Sequence, residues 1–124
     1  MKRLVRIVLV CGDRNWRNPE PIQHELLALK RAGAAVLVHG AARGADSLAA
    51  DIGARLGFVV RAFPADWKSF GRAAGPIRNA RMLAEGHPDL VLAFHDNIAQ
   101  SRGTADMVRR ARNAGVPTRI VRSS

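Results

Sequence analysis

The sequence has one cysteine, no tyrosine and no long apolar run. Cys11 is alone among 124 residues, which excludes an intrachain disulfide, and one cysteine cannot by itself form a zinc site. No apolar run approaches the roughly 20 residues that cross a membrane, so no membrane partner is expected. Residues 4–10 are apolar, but Arg6 interrupts them and no small-residue cleavage site follows. They predict a first strand rather than a signal peptide, and the cytoplasm is the expected location.

Acidic residues are half as frequent as basic ones. Ten Asp and Glu oppose twenty Lys and Arg, which gives a formal net charge of +10. This balance favours polyanionic partners, either nucleic acid or small phosphates, without choosing between them. Genome composition explains the arginine-rich usage outside the loops equally well. Several cations lie on predicted helices away from the loops. They either contact the phosphates of a nucleic acid or form an ordinary solvated face. These residues are Lys30, Arg31, Arg109, Arg110 and Arg112.

The apolar pattern predicts one α/β domain, residues 1–124, with a parallel sheet. Five short aliphatic runs are continuously apolar, as in strands covered on both faces: residues 4–10, 35–39, 58–63, 90–94 and 118–121. Four helical stripes alternate with them: Ile22, Leu26 and Leu29; Leu48, Ile52 and Leu56; Ile77, Ala80 and Ala84; and Met107, Val108 and Ala111. This alternation predicts right-handed βαβ units in a doubly wound sheet with helices on both faces.

The loops that follow the strands are the expected ligand site, because ligands of such sheets lie beyond the carboxyl ends of the strands. After the first strand, Gly12 permits close backbone approach and Arg14 offers a planar fork of donors to a phosphate. The alternative interpretation of this loop is an ordinary polar turn, although such a turn does not require a tryptophan such as Trp16. After the second strand, Gly40 and Gly44 leave N–H groups free at a helix start, which favours an anion.

Asp46 and Trp67 each allow two interpretations. Asp46 either complements the first turn of the second helix or accepts hydrogen bonds from a ribose or a base. Trp67 lies in the connection 64–75, whose length of about twelve residues exceeds the usual range for such turns. Its ring either offers a stacking plane to a base or covers the edge of the core.

The third and fourth helices begin with further candidate residues. Arg78 lies with Asn79 in a first helical turn, where the helix dipole disfavours arginine, so Arg78 is a candidate functional residue. Gly103 and Thr104 offer free amides and a hydroxyl to a phosphate, unless Thr104 is an ordinary N-cap. Two histidines that end strands, His39 and His95, lack a convincing third ligand, so neither a metal nor another cofactor is expected.

Five blocks in order along the chain resemble the YspA-like family of the SLOG superfamily, which includes DprA and the Lonely guy phosphoribohydrolases. The second and fourth blocks are the more specific ones. The blocks are Gly12-Asp13-Arg14-Asn15-Trp16, His39-Gly40-Ala41-Ala42-Arg43-Gly44-Ala45-Asp46, Pro64-Ala65-Asp66-Trp67, Ala74-Gly75-Pro76-Ile77-Arg78-Asn79 and Gly103-Thr104-Ala105-Asp106.

The resemblance implies a Rossmann-like fold with strand order 3-2-1-4-5 and a pocket for nucleotides or ADP-ribose-type signals. Members are common in bacteria and phages, so the location is the host cytoplasm if a phage encodes this chain. Superfamily relatives often self-associate, which makes a homo-oligomer plausible. The chain departs from the Lonely guy pattern, which places a catalytic glutamate three residues after the threonine. Met107 stands there, and Asp106 is one residue too early, about 100° around the helix.

These observations support three hypotheses. In the leading one, a nucleotide-like small molecule rests its phosphates on the amides of Gly40–Gly44 and of Gly103-Thr104, held by Arg14, Arg43 or Arg78. Trp67 or Asn79 then faces the base or ribose. The second hypothesis is an enzyme that cleaves an N-glycosidic or phosphate linkage of such a ligand, for example a phosphoribosyl hydrolase, with Asp106, Asp46 or Asp96 as acid or base and Arg78 as charge stabiliser. The third is DprA-like binding of single-stranded nucleic acid.

Overall fold

The computed structural model describes residues 4–123 and alternates strands with helices. The strands are β1 (Ile7–Gly12), β2 (Val36–His39), β3 (Val59–Ala62), β4 (Leu90–Phe94) and β5 (Thr118–Val121). The helices are α1 (Pro19–Arg31), α2 (Ala45–Arg55), α3 (Trp67–Phe70), α4 (Ala74–Gly86) and α5 (Gly103–Asn113). Short 3₁₀ turns at Gly71–Ala73 and Ile98–Gln100 precede α4 and α5. Within residues 4–123, no helix is long and apolar enough to cross a membrane.

The five strands form one parallel sheet in the order β3-β2-β1-β4-β5, which confirms the predicted fold class and strand order. β1 lies in the centre. Its last residues pair with the ends of both neighbours: Val10 is opposite His39, and Gly12 is opposite Phe94. β1, β2 and β4 therefore end close together at the same edge of the sheet, and the three loops that follow them lie side by side at this edge.

Helices cover both faces of the sheet. On one face, α1 and α2 pack their buried side chains, such as Ile22 and Ile52, against Val8, Val10 and Leu92. On the other face, the buried methionines of α4 and α5, Met82 and Met107, belong to the cluster that includes Leu9, Val91 and Ala93. Alternate residues of each central strand thus enter opposite cores, as expected for a sheet buried on both sides.

Local sequence explains the bounds of α1. The Asn18 side chain accepts a hydrogen bond from the Glu20 amide at 3.2 Å, and Pro19 occupies the first helical position. An N-cap followed by proline is a favourable helix start, because the cap side chain accepts from a first-turn amide and proline has no N–H that needs a partner. After Arg31 the chain turns at Gly33, which has a φ of +110°.

Two predicted elements were placed wrongly. The first strand was predicted at residues 4–10 but runs from Ile7 to Gly12, because its pairing with β4 continues to Phe94 while Leu4 stays exposed. The stripe predicted for α4 from Ile77, Ala80 and Ala84 faces outward. The buried residues of α4 are instead Ala74, Gly75, Asn79, Met82 and Gly86. A polar residue and two glycines carry this packing, so apolar periodicity pointed to the wrong face.

The connection after β3 is more ordered than the predicted long loop. Asp66 caps the four-residue helix α3 by accepting a hydrogen bond from the Ser69 amide at 3.2 Å. The 3₁₀ turn that follows leads directly into α4. α3 contains no buried residue, and about half of the surface of both Trp67 and Phe70 is exposed. The chain therefore presents two half-exposed aromatic side chains in the connection that follows β3.

Candidate functional site

An open cavity of about 650 Å³ lies at the carboxyl ends of β1, β2 and β4. The neighbouring strands β1 and β4 are the point at which the strand order reverses, and doubly wound sheets bind ligands in the crevice at this point. A smaller recess of about 490 Å³ adjoins it on the side of β3. The two spaces share five residues, which are Arg14, Ala42, Arg43, Trp67 and Arg78.

The structure brings nearly all of the predicted site residues to these two spaces. Gly40 lines the smaller recess, and Gly44 lines neither. The predicted residues that line the larger cavity are Gly12, Arg14, Arg43, Asp46, Trp67, Arg78, Asn79, Gly103, Thr104 and Asp106. Several of them have partners within the protein, however, so their roles differ.

Gly44 and Gly12 are required by the packing of the loops. Gly44 has a φ of +76°, and a Cβ built on it would lie 2.4 Å from the carbonyl oxygens of Asp13 and Arg14. A Cβ on Gly12 would lie 2.4 Å from the Phe94 carbonyl oxygen. The Ala45 amide donates to the Asp13 carbonyl at 3.1 Å. These two glycines thus let the loops after β1 and β2 and the end of β4 contact one another.

Gly40 leaves room for the side chain of Arg78. A Cβ on Gly40 would lie 2.5 Å from Nη1 of Arg78, and this nitrogen donates to the Gly40 carbonyl. Nε of Arg78 donates to Oδ1 of Asn79 at 3.0 Å. The guanidinium is half-buried and fixed at two nitrogens. Its Nη2 forms no hydrogen bond within residues 4–123, so it can donate to a ligand.

Asp46 holds the backbone of the loop after β2. Its Oδ2 accepts from the amides of Gly40 at 2.9 Å and Ala42 at 3.3 Å. The N-cap of α2 is Gly44, so Asp46 lies in the first turn and its carboxylate bonds to the loop instead of capping the helix. Burial raises the pKa of Asp46 to about 6, although the two amides, Arg78 and Arg14 favour the charged form.

Asn79 and Asp106 join α4 to α5. Asn79 is buried, and its Nδ2 donates to the Gly103 carbonyl at 3.2 Å and to Oδ2 of Asp106 at 3.0 Å. Asp106 also forms ion pairs with Arg109 at 2.6 Å and Arg110 at 2.8 Å. Both carboxylate oxygens of Asp106 therefore have hydrogen-bond partners, and Asn79 links α4 to α5 through its side-chain hydrogen bonds. Met107, at the position of the Lonely guy glutamate, is fully buried in the core.

The start of α5 differs from a standard capped helix. Thr104 is the second residue of the helix and is buried, so it is not the N-cap. Its amide donates to the Ser101 hydroxyl at 3.0 Å. Arg102 occupies the N-cap position and makes no side-chain capping bond. The start of this helix faces the cavity through Ser101, Arg102, Gly103 and Thr104.

Five arginines surround the cavity without acidic partners. The ion pairs within residues 4–123 involve Arg81, Arg109, Arg110 and Arg119 only. The guanidinium of Arg14 lies 5.6 Å from the centre of the Trp67 ring, a cation–π geometry. The cavity arginines that are left without an ion pair are Arg14, Arg43, Arg72, Arg78 and Arg102.

Some residues have roles that sequence patterns concealed. Trp16, which suggested function in its loop, is buried in the core, with its ring edge-on to Phe94. Burial raises the pKa of the Cys11 thiol, which keeps it protonated. The cavity residues that sequence analysis missed include Asn15, Arg72, Gln100, Ser101 and Arg102. Arg72 and Arg102 lie just before the helices α4 and α5 in the connections that follow β3 and β4, and this position was the available signal.

His39 and His95 each bond to the backbone of the turn that follows their strand. The Nδ1 atom of each accepts a hydrogen bond from a backbone amide two residues later, Ala41 and Asn97 respectively. Within residues 4–123, no group of three or more His, Cys, Asp or Glu side chains is arranged to hold a metal ion. The two histidines instead stabilise the turns that leave β2 and β4.

Comparisons with known proteins agree with this architecture. The model of the YspA, cpYpsA-related SLOG family matches residues 6–70. The Gene 61 protein of Mycobacterium phage D29 is 38% identical over 121 residues, which cover 91% of this chain and 94% of that protein. The X-ray structure of DNA processing protein A (DprA) from Streptococcus pneumoniae superimposes with a TM-score of 0.75 at 18% identity. That match covers 96% of this chain and 51% of the DprA chain, so this chain spans about half of it, and the likeness shows the fold.

Proposed function

Because this chain belongs to the YspA, cpYpsA-related SLOG family, we propose that it binds a nucleotide or a nucleotide-derived phosphorylated ligand of the ADP-ribose type. The site is the cavity at the ends of β1, β2 and β4, and the chain acts as a sensor or a sequestering module. We further propose that it works in the cytoplasm, or in the host cytoplasm if a phage encodes it.

The observation that carries this proposal is the set of five arginines beside a half-exposed tryptophan. Guanidinium groups without acidic partners attract anions, and their planar forks match phosphate oxygens. Trp67 lines both the cavity and the recess, and its exposed ring is a stacking surface for a base. Both features occur at the strand ends where doubly wound sheets bind ligands.

In this proposal, Arg78 contacts a phosphate directly. The Gly40 carbonyl and Asn79 fix its Nε and Nη1, so Nη2 is available without loss of side-chain entropy. Arg14 and Arg43 are exposed and supply further donors. Asn79 fixes the Arg78 guanidinium, and Asp46 holds the amides of the loop after β2 through Oδ2.

Thermal unfolding in the presence of AMP, ADP, ADP-ribose and NAD tests the proposal. At least one of these compounds should raise the unfolding temperature of the wild-type chain, because ligand binding to the folded state alone stabilises it. R78A should weaken binding of that compound about 10- to 100-fold, the equivalent of one lost charge-assisted hydrogen bond.

R81A is the matched control, because Arg81 lies on the same helix but is exposed and paired with Glu85. We expect R81A to bind as the wild type does. If no compound in the panel shifts the unfolding temperature, or if R81A weakens binding as much as R78A does, the proposed site is wrong.

Binding of single-stranded nucleic acid is the second candidate, favoured by the net charge of +10 and by the exposed rings of Trp67 and Phe70. Of the helical cations considered for this role, Arg109 and Arg110 are paired with Asp106, and Lys30 packs on Phe58. Affinity for a single-stranded oligonucleotide should then fall steeply with salt, in a linear log–log relation. A flat dependence on salt would argue against this candidate.

A further inference from the structure

We propose that the cavity hydrolyses a phosphoanhydride bond of its ligand, with the Asp46 carboxylate as the general base. This inference rests on the proposed binding function and adds a reaction to it. Three carboxylates line the cavity, those of Asp13, Asp46 and Asp106, and their hydrogen bonds distinguish them.

Asp46 has one fixed oxygen and one open oxygen. Both backbone amides that it binds, those of Gly40 and Ala42, donate to Oδ2. Within residues 4–123, Oδ1 has no hydrogen-bond partner, yet no fully buried side-chain oxygen or nitrogen is unpaired. Although the residue is only 5% exposed, Oδ1 therefore opens on the cavity that Asp46 lines.

The other two cavity carboxylates are less suited to take a proton. Asp106 binds Arg109 through Oδ1 and Arg110 and Asn79 through Oδ2. Asp13 accepts the Asn15 amide through Oδ1 at 2.8 Å and is not buried. Burial without an ion-pair partner strengthens a carboxylate as a base, and neither Asp13 nor Asp106 has this environment.

The surroundings of Asp46 match this role. Burial raises its pKa to about 6, against the opposing effect of the two loop amides and of the Arg78 and Arg14 guanidinium groups. The neighbouring Cys11 thiol, whose own pKa is raised by burial, adds no charge. A general base works best when its pKa lies near the operating pH, and a group with a pKa of about 6 is mostly ionised above neutrality.

The charge of the cavity selects the bond. Cleavage of a glycosidic bond passes through a transition state with positive charge on the sugar, which five unpaired arginines would oppose. Transfer of a phosphoryl group develops negative charge on the phosphoryl oxygens, which arginines stabilise. A base beside free guanidinium groups therefore fits attack on phosphorus better than attack on a sugar carbon.

The step is an attack by water on one phosphorus of the ligand. Oδ1 of Asp46 takes a proton from the water molecule while the water oxygen bonds to phosphorus. The bond from that phosphorus to the bridging oxygen breaks, and its electron pair remains on the departing phosphate. Asp46 then releases the proton to solvent. ADP-ribose would yield AMP and ribose phosphate in this way.

The test measures AMP release from ADP-ribose by chromatography, in parallel with thermal shift, for the wild type, D46N and D51N. The carboxamide in D46N would retain a carbonyl oxygen for the Gly40 and Ala42 amides but has no basic oxygen. Asp51 is exposed on the same helix and lies outside the cavity, so D51N is the matched control. We expect D46N to keep its thermal shift and to lose AMP release about 10²- to 10⁴-fold, while D51N retains both.

Each other outcome overturns the inference in a distinct way. A thermal shift without AMP release leaves the binding function intact and removes the reaction, whereas the absence of both rejects the binding function. Release of adenine instead of AMP reassigns the bond, and equal rates for D46N and D51N reassign the base. If D46N fails to fold, the wild-type pH profile decides: the rate should rise up to about pH 6 and then level off, and a flat profile contradicts the role of Asp46.

Discussion

Replacement of Gly44 by alanine should destabilise the fold by about 4 kcal/mol, the sum of backbone strain and overpacking. Gly44 has a φ of +76° and a ψ of −123°, a region that side chains with a Cβ rarely adopt. The new Cβ would also lie 2.4 Å from the carbonyl oxygens of Asp13 and Arg14, which are backbone atoms that cannot rotate away. The loops after β1 and β2 would have to separate, and the cavity would lose part of its wall.

G103A is the control for this prediction. Gly103 begins α5, and no atom lies within 4 Å of a Cβ built on it. Alanine is the better helix former, so G103A should be neutral or stabilising by up to about 1 kcal/mol. Denaturant unfolding of the two variants measures the difference. If G44A is as stable as G103A, the close contact between the loops is not part of the fold.

Asp46 should make the stability of the protein fall as pH rises from about 4 to about 6. Its pKa is raised from 3.8 to about 6 in the folded state, so the folded chain binds a proton that the unfolded chain releases in this range. The stability that this proton contributes is fully present below the unfolded pKa and is lost as pH passes the folded pKa. A shift of this size corresponds to about 3 kcal/mol.

Comparison with D46N isolates this contribution, because asparagine does not titrate. The free energy of unfolding of D46N relative to the wild type should increase by about 2 kcal/mol between about pH 4 and about pH 7.5, because part of the full effect is already lost at pH 4. Carboxyls with lowered pKa values, such as those of Glu85 and Asp96, act in the opposite direction in both proteins and cancel in the difference. A difference that is independent of pH would mean that Asp46 titrates at its ordinary pKa.

Most strands and helices could be predicted from the sequence, because the aliphatic runs of strands and the apolar spacing of helices are local patterns. The aliphatic run 90–94 coincides with β4, and Met107, Val108 and Ala111 are buried as their spacing predicted. The strand order, in contrast, came from the family resemblance, since periodicity does not specify which strands are neighbours. α3 escaped prediction because a four-residue helix held by the Asp66 cap is too short for a periodic pattern.

The site could be predicted less completely, because the role of each site residue depends on hydrogen bonds to residues that are distant in the sequence. The position after a strand predicted Arg14 and Arg43 as site residues, and the unfavourable place of Arg78 in a first helical turn predicted the third; all three line the cavity. These signals did not reveal that Gly40 makes room for Arg78, or that Asn79 links α4 to α5 through the Gly103 carbonyl and Asp106. Such roles depend on residues far apart in the chain, which no local pattern records.

The most direct measurement of the binding claim is an NMR titration of the two tryptophan indole N–H signals with ADP-ribose. Trp67 lines the cavity and is half exposed, whereas Trp16 is buried and donates its indole hydrogen to the Asn18 carbonyl at 2.6 Å. If the ligand binds in the cavity, the Trp67 signal should shift in a saturable manner while the Trp16 signal stays in place. A Trp67 signal that remains unchanged at ligand concentrations that stabilise the protein would place the ligand elsewhere and rule out the proposed site.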